Sequence, residues 1–147
     1  MYKQILIPTD GGELSQKAIA HGFELAKLTG ARVTILTVTP SYPVTYMEGG
    51  IAANREFAEE SERQWKEEAR KAMEKVREQG KAAGVETDVQ VLSGDSISDQ
   101  ILNAAKDIGA DLIVMASHGR KGIAKLLLGS ETQHVLTGAK IPVLVLR

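Results

Sequence analysis

Two glycines and a serine in the last third of the chain stand where a phosphate group could bind. Gly119 follows an apolar run that ends at Met115, and nine residues separate it from the pair Gly129 and Ser130. Backbone N–H groups that converge on a phosphate hold it well, and glycine lets the backbone come close or take a positive φ. Ser130 is predicted to begin a helix, where free N–H groups and the dipole favour an anion and its hydroxyl could donate to a phosphate oxygen. On this pair alone, a serine cap after a turn glycine is the simpler explanation.

Asp10 is the second residue whose chemistry suggests a ligand. It follows the first apolar run of the chain, and a carboxylate can accept two hydroxyl hydrogen bonds. Asp10 could instead cap the first helix, and one residue can fill both roles. His118 could donate to a phosphate or satisfy a carbonyl of its own turn, and both interpretations stay open. Ser117 has no base beside it in the sequence and is not a persuasive nucleophile.

Composition excludes several classes of function. The chain has no cysteine, which rules out disulfides, thiolate catalysis and cysteine-ligated metal, and its three histidines show no metal-ligand spacing. The net charge of −1 argues against nucleic acid or an anionic membrane surface as a partner. The first apolar run is too short for a signal peptide, and no stretch approaches the roughly 20 apolar residues that cross a bilayer. We therefore expect a cytoplasmic protein with no nucleic-acid or membrane partner.

Strand-like and helix-like segments alternate along the chain, and they must position these residues. Short runs rich in apolar and β-branched residues predict five strands, at residues 4–7, 32–38, 87–92, 112–115 and 142–146. Three of these runs lack alternation between polar and apolar residues, as strands buried on both faces do, which indicates a parallel sheet covered by helices. Apolar residues at helical spacing predict four helices, at residues 14–28, 56–83, 96–108 and 130–138.

This order predicts one α/β domain over residues 1–147, with an open, doubly wound parallel sheet of five strands and helices on both faces. Gly30 is the expected stop of the first helix, and Phe57 opens the apolar stripe predicted for the second. The segment from Thr39 to Asn54 fits no element and is predicted to be a loop. Ligands of such sheets bind beyond the carboxyl ends of the strands, which is where Asp10 and Gly119 lie in the sequence.

The spacing of the glycines is similar to the nucleotide loop of the universal stress protein family, whose pattern is Gly-x2-Gly-x9-Gly-Ser/Thr. The resemblance covers nearly the whole chain and consists of several blocks in the family's order. These blocks are residues 5–11, 26–31, 89–94, 117–120, 128–130 and 141–145. Two positions depart from the pattern, because Ala116 stands in place of the first glycine and Gly12 in place of a frequent serine. The Ala116 methyl is a small intrusion on an extended backbone but would matter if the position needed a positive φ.

The resemblance implies the adenine-nucleotide alpha-hydrolase-like fold, with strand order 3-2-1-4-5, and it implies a site for ATP with Mg²⁺. In that site Pro8 and Val38 would lie against the adenine, Met115 would line the same pocket, and Asp10 would hold the ribose. Gly119, Gly129 and Ser130 would surround the phosphates and the divalent ion. Neighbours of these residues complete the expected nucleotide-binding set: Thr9, Ala116, His118, Glu131 and Thr132.

The resemblance also implies a homodimer in which two copies join through the last strand, from Pro142 to Leu146. An apolar strand at the edge of a sheet is by itself a template for pairing with another chain. The leading hypothesis is therefore a dimeric stress-response protein that binds ATP and acts through its nucleotide state, with at most slow hydrolysis. Two alternatives stay open: a family member that has lost the nucleotide and serves as a protein-interaction module, and an adenylyl-handling enzyme.

Overall fold

The computed structural model describes residues 1–39, 51–119 and 128–147, and strands and helices alternate along them as the sequence predicts. The strands are β1 (Gln4–Pro8), β2 (Arg32–Thr39), β3 (Thr87–Ser93), β4 (Leu112–Ala116) and β5 (Val143–Leu146). The helices are α1 (Glu13–Thr29), α2 (Ile51–Ala82), α3 (Ile97–Asp107) and α4 (Ser130–Gly138).

The five strands form one parallel sheet in the order β3-β2-β1-β4-β5. The predicted fold class and strand order are therefore confirmed. The order reverses between β1 and β4, since the chain leaves β1 towards β2 and β3 and then crosses to the other side of β1 to form β4 and β5. The switch point of the sheet lies between these two central strands.

Strand β1 supplies both hydrophobic cores, because successive side chains of a strand point to opposite faces of the sheet. Ile5 and Ile7 pack in a cluster with residues of α1 and α2, whereas Leu6 packs on the other face with residues of α3 and α4. All three side chains are completely buried. A run without polar alternation thus marks a strand that is covered on both sides.

Helix α1 ends as predicted. Gly30 has a φ of 74°, in the left-handed region that favours glycine, and its N–H donates to the Ala26 carbonyl at 2.8 Å.

Helix α2 differs from its prediction at the N-terminal end. It includes residues 51–54, which were predicted to belong to the loop, while Thr39 ends β2 and residues 40–50 lie outside the described part. The predicted apolar stripe is wrong at its start: Phe57 is 60% exposed and Ala58, only 4% exposed, is the buried residue. The hydrophobic pattern of the sequence assigned the wrong residue to the buried face in this turn, because the large apolar Phe57 gives a stronger signal than the small Ala58 that is buried.

Candidate functional site

A cavity of about 160 Å³ opens at the carboxyl ends of β1 and β4, where the strand order reverses. Most of its wall is apolar, and the apolar lining consists of Pro8, Leu36, Val38, Ile97, Ile101, Met115 and Ala116. The remaining lining residues are Thr9, Asp10, Ser15, His118, Gly119, Glu131 and Thr132. The structure therefore brings ten of the twelve predicted site residues around one space, although they come from four separate parts of the chain.

A second cavity, of about 520 Å³, adjoins the first and is more polar. Asp10, Ser15, His118 and Gly119 line both cavities, and residues 11–14 with Lys17 complete the second one. Pockets for small ligands and cofactors commonly span about 300–1,000 Å³, so the two spaces together have a suitable size. A ligand with an apolar end and a charged end could occupy both, with Asp10 at the junction.

Asp10 is held by hydrogen bonds at the start of α1. Its Oδ1 accepts the Gly12 N–H at 2.8 Å and lies 2.9 Å from the Ser15 hydroxyl oxygen. The residue that caps α1 is Gly12, which uses no side chain, so Asp10 is not the N-cap. The contact from Asp10 to the N–H two residues later is instead an Asx-type turn, which leads the chain from β1 into α1.

Gly119 lets the segment after β4 approach this carboxylate closely. A Cβ built on Gly119 would lie 3.0 Å from Asp10 Oδ2, which is tighter than nearly all such contacts in proteins. The need for glycine here is therefore a close approach of the two strand ends. Of the segment that leads from here to α4, residues 120–127 lie outside the described part of the chain.

Gly129 also serves a close backbone approach. Its N–H donates to the Ser117 carbonyl at 2.7 Å, and a Cβ on Gly129 would lie 3.3 Å from both Ser117 O and His118 Cα. Its φ of −60° is accessible to any residue. This contact fixes the start of α4 against the residues that follow β4.

Gly129 and Ser130 do not line the two cavities, and the predicted serine cap is wrong. Gly129 is the N-cap of α4 without a side-chain hydrogen bond, and Ser130 is the first helical residue, exposed to solvent. The helix begins one residue earlier than a serine cap requires, because the extended backbone that a cap needs falls on Gly129.

Ala116 occupies an ordinary strand position. It is the last residue of β4, pairs with Leu146 of β5, and its carbonyl accepts the buried Thr132 hydroxyl at 3.0 Å. Extended backbone accommodates any L-residue, so the methyl group in place of the family's glycine fits without strain. The contact with Thr132 ties α4 to the end of the strand.

Glu131 joins α4 to α3. Its Oε2 accepts the Ser98 N–H at 2.8 Å, in the first turn of α3, where Ser96 is the N-cap and accepts from the Asp99 N–H at 3.3 Å. A carboxylate at a helix N-terminus satisfies a free donor and interacts favourably with the dipole. Glu131 thus bridges the two helices at the rim of the cavity.

Two kinds of feature are absent from the described residues. No group of three His, Asp or Glu side chains in these parts of the chain could hold a metal ion. Each described helix falls short of the length and apolar character that a membrane span requires.

Comparison with known proteins identifies the family. The family model for the universal stress protein family matches residues 1–147. The chain belongs to this family. Universal stress protein MJ0531 of Methanocaldococcus jannaschii is 35% identical over all of this chain and 83% of its own length. Universal stress protein YxiE of Bacillus subtilis is 32% identical over the full length of both chains.

Solved structures agree with this assignment. The structure of MJ0577 of M. jannaschii matches this universal stress protein with a TM-score of 0.85 and 32% identity, over 99% of this chain and 96% of that one. A universal stress protein in complex with cAMP has a TM-score of 0.65 at 24% identity, covering 99% and 97%. The universal stress protein from Archaeoglobus fulgidus in complex with dAMP has a TM-score of 0.66 at 17% identity, covering 99% of this chain and 98% of that one. At these identities, the last two matches show only that the fold is shared.

Four residues of this universal stress protein line the cavity although the sequence did not single them out as site residues: Ser15, Leu36, Ile97 and Ile101. Leu36 and Ile101 carry the apolar signal of core residues, and nothing in their local pattern distinguishes them from the rest of the core. Ile97 is 41% exposed although it is apolar, as expected of a side chain at a cavity mouth. The signal for Ser15 was its position five residues after Asp10, in the first turn of α1.

The hydrogen bond from Ser98 N–H to Glu131 predicts that two substitutions of Glu131 will differ in their effect on stability. We expect Glu131→Ala to lower the free energy of unfolding by about 1 kcal/mol, since Ser98 N–H loses its acceptor. Glu131→Gln keeps an acceptor oxygen of the same reach and should lose about half as much or less. Urea denaturation of the two variants measures the difference. Equal losses would mean that the charge, and not the hydrogen bond, stabilises the start of α3.

Proposed function

We propose that this universal stress protein binds ATP with Mg²⁺ at the junction of the two cavities and acts in the cytoplasm through its nucleotide state. The observation that carries the proposal is the change from apolar to polar lining at Asp10. An adenine ring would lie between Pro8, Val38 and Met115, and the phosphates would extend past Gly119, which lines both cavities. Two universal stress proteins of the same fold have been solved in complex with cAMP and with dAMP, and an adenine nucleotide as the ligand here would agree with those structures.

Asp10 fits the ribose in this arrangement, because its carboxylate accepts hydroxyl donors and lies where the two cavities meet. The Mg²⁺ ion would be held through the phosphate oxygens, as is usual for Mg²⁺ in nucleotide sites, and it would neutralise phosphate charge near Asp10 and Glu131. We expect hydrolysis to be slow at most, because both of these carboxylates already accept backbone hydrogen bonds.

Calorimetric titration tests the proposal. Purified, nucleotide-free protein at tens of micromolar should release saturable heat on titration with Mg-ATP. Mass analysis of nucleotide released from denatured protein, purified from cells without added nucleotide, would identify which adenine nucleotide the protein carries. Absence of heat together with absence of released nucleotide would overturn the proposal.

We further propose that two copies of the chain form a homodimer through β5. This strand lies at the edge of the sheet, and among the residues that the structure describes it pairs with β4 alone. Leu144 at its centre is 42% exposed, which is unusual for a leucine in a strand and is explained if a second copy covers it.

A lysine at this position is predicted to dissociate the dimer. Leu144→Lys should raise the dimer dissociation constant at least about tenfold, because an ammonium group replaces an apolar side chain in the interface. Analytical ultracentrifugation over a concentration series measures this constant. Gln90→Lys, on β3 at the opposite edge of the sheet, is the matched control and should leave it unchanged. If Leu144→Lys left the dissociation constant unchanged and Gln90→Lys raised it, the interface would lie at the β3 edge and the proposed β5 interface would be wrong.

A further inference from the structure

A third cavity, of about 390 Å³, lies between the C-terminal ends of α3 and α4. Part of its wall comes from the segments that lead into β4 and β5, so it lies at the amino ends of these strands, whereas the proposed nucleotide site lies at the carboxyl ends. No residue that lines this cavity lines either of the other two. Its occupation is therefore independent of the proposed nucleotide.

The inner wall of this cavity is apolar. Ala105, Ala110 and Ile113 are buried and belong to the hydrophobic core that joins the sheet to α3 and α4. Leu102 and Ile141 pack against the same core from partly buried positions. An apolar cavity of about 150 Å³ already holds benzene, so this larger space has room for a hydrocarbon of roughly ten carbon atoms.

The charged residues of the lining are both lysines. Lys106 lies in the last turn of α3, Lys140 lies between α4 and β5, and both are exposed. A lysine keeps its aliphatic stem on apolar surface and its ammonium group in water, which places the two charges at the mouth of the cavity. Within the described part of the chain neither lysine forms an ion pair. Asn103, which also lines the cavity, adds amide donors.

Negative charge near the cavity does not cancel the two lysines. Asp107 and Asp111 are neighbours of lining residues in the chain but do not line the cavity, and Asp111 accepts the N–H groups of Lys3 and Gln4. Each helix C-terminus contributes roughly half a negative charge, so the two lysines leave about one net positive charge. The last carbonyls of α3, at residues 104–106, already accept N–H groups from residues 108–110. The lining is therefore suited to an anion.

We propose that this cavity binds a free medium-chain carboxylate, with its hydrocarbon chain against the core and its carboxylate at the mouth beside Lys106 and Lys140. The apolar wall supplies most of the affinity, because each methylene group removed from water should strengthen binding about three- to fourfold. The lysines select the head group. A cavity with apolar lining alone would favour an alcohol over a carboxylate, because the charged group costs more to remove from water.

Titration of the isotope-labelled protein, followed by nuclear magnetic resonance, tests the place and the chemistry together. The ligands are octanoate and decanoate, below the concentrations at which they form micelles, with octanol and octylammonium as head-group controls. Backbone amide shifts of residues 102–110 and 138–141 report on this cavity, and those of Val38 and Met115 report on the apolar cavity at the carboxyl ends of the strands.

We expect saturable shifts at residues 102–110 and 138–141 with both carboxylates. Decanoate should bind about tenfold more tightly than octanoate, because it buries two more methylene groups. Octanoate should bind at least about threefold more tightly than octanol or octylammonium. Equal affinity for octanoate and octylammonium would overturn the proposal. So would saturable shifts confined to Val38 and Met115, or no saturable shift with either carboxylate.

A larger side chain in the wall should fill the cavity. Ala139 lines it and has an extended backbone, which accommodates any residue. Ala139→Phe should weaken octanoate and decanoate at least about tenfold, because its ring takes the place of several methylene groups. Thr137→Phe, exposed on α4 and outside the lining, is the matched control and should keep both affinities. Thermal unfolding shows whether each variant folds, and Ala139→Leu replaces Ala139→Phe if that variant does not.

Removal of the two charges tests the head group. The double variant Lys106→Gln with Lys140→Gln should weaken octanoate about 3- to 10-fold and leave octanol unchanged. Lys27→Gln with Lys75→Gln removes the same charge from exposed positions on α1 and α2 and should keep the ratio of the two affinities. A loss of the same factor for octanoate and octanol in the first pair would indicate a structural defect and would contradict the role of the lysines, as would an unchanged ratio.

A second copy of the chain is the competing occupant. If neither carboxylate binds and Ala139→Phe raises the dimer dissociation constant in analytical ultracentrifugation, the cavity is part of a protein interface and the proposal is wrong. If octanoate binds and Mg-ATP neither displaces it nor shifts the amides of residues 138–141, the cavity is a separate ligand site, whether or not the proposed nucleotide function holds.

Discussion

Gly129→Val is expected to lower the affinity for Mg-ATP by about 10- to 100-fold, a loss of about 1.4–2.8 kcal/mol of binding free energy, because the larger side chain displaces residues that border the proposed site. The first atom of the new side chain would lie 3.3 Å from both Ser117 O and His118 Cα, and valine adds two methyl groups beyond it. Either the residues after β4 or the start of α4 must move. Residues 118 and 119 line both cavities and residues 131 and 132 line the first, so the displacement should act on binding even though Gly129 itself does not line the cavities.

Calorimetry with Mg-ATP measures this effect, and circular dichroism shows whether the fold persists. Gly129→Ala should lose only a few-fold, because its single methyl group needs a shift of a few tenths of an ångström. The matched control is Gly138→Ala at the other end of α4, where the new methyl meets the flexible end of Leu102. This control should retain full affinity. Unchanged affinity in Gly129→Val would mean that the phosphates bind elsewhere.

The largest effect on stability is expected at the centre of the sheet. Leu6→Ala should lower the free energy of unfolding by about 3–4 kcal/mol, within the range for deleting a fully buried leucine and leaving a cavity. Leu6 is completely buried in the cluster that joins the sheet to α3 and α4, next to Leu36 and Ile113. The surrounding strands are held by pairing with β1 and cannot collapse into the space.

Urea denaturation measures the loss, which should appear as a lower midpoint with an unchanged slope. Leu28→Ala is the control, because Leu28 is 85% exposed on α1 and its truncation should change stability by no more than about 0.5 kcal/mol. A loss below about 1 kcal/mol for Leu6→Ala would mean that the core repacks around the shorter side chain.

The order of strands and helices was predictable from the sequence, because the burial of each element shows in the spacing of its apolar residues. The run at Ile5, Leu6 and Ile7 has no polar alternation, and the structure covers both faces of β1. Gly30 stops α1 in the left-handed conformation that the sequence predicted. The start of α2 was misplaced because the buried position there is Ala58, and a small residue gives little hydrophobic signal compared with Phe57.

Part of the site was predictable for a different reason. The carboxyl ends of parallel strands meet at one edge, so residues directly after β1 and β4, such as Asp10 and Gly119, had to be close once the strand order was known. The structure adds the distance, since a Cβ on Gly119 would lie 3.0 Å from Asp10 Oδ2 and would fit only if that carboxylate moved by a few tenths of an ångström.

The sequence by itself determined the class of fold, because that depends on patterns within short segments, and the family resemblance implied the strand order that brings the ends of β1 and β4 together. Only the tertiary structure decided that Ser15 joins Asp10, that Glu131 holds the start of α3, and that Gly129 packs against the backbone after β4. Glu131 and Gly129 meet partners that lie far away in the chain, and the direction of the Ser15 hydroxyl depends on how β1 enters α1. Contacts of this kind leave no periodic trace in the sequence, because they depend on the path of the backbone rather than on the burial of a face.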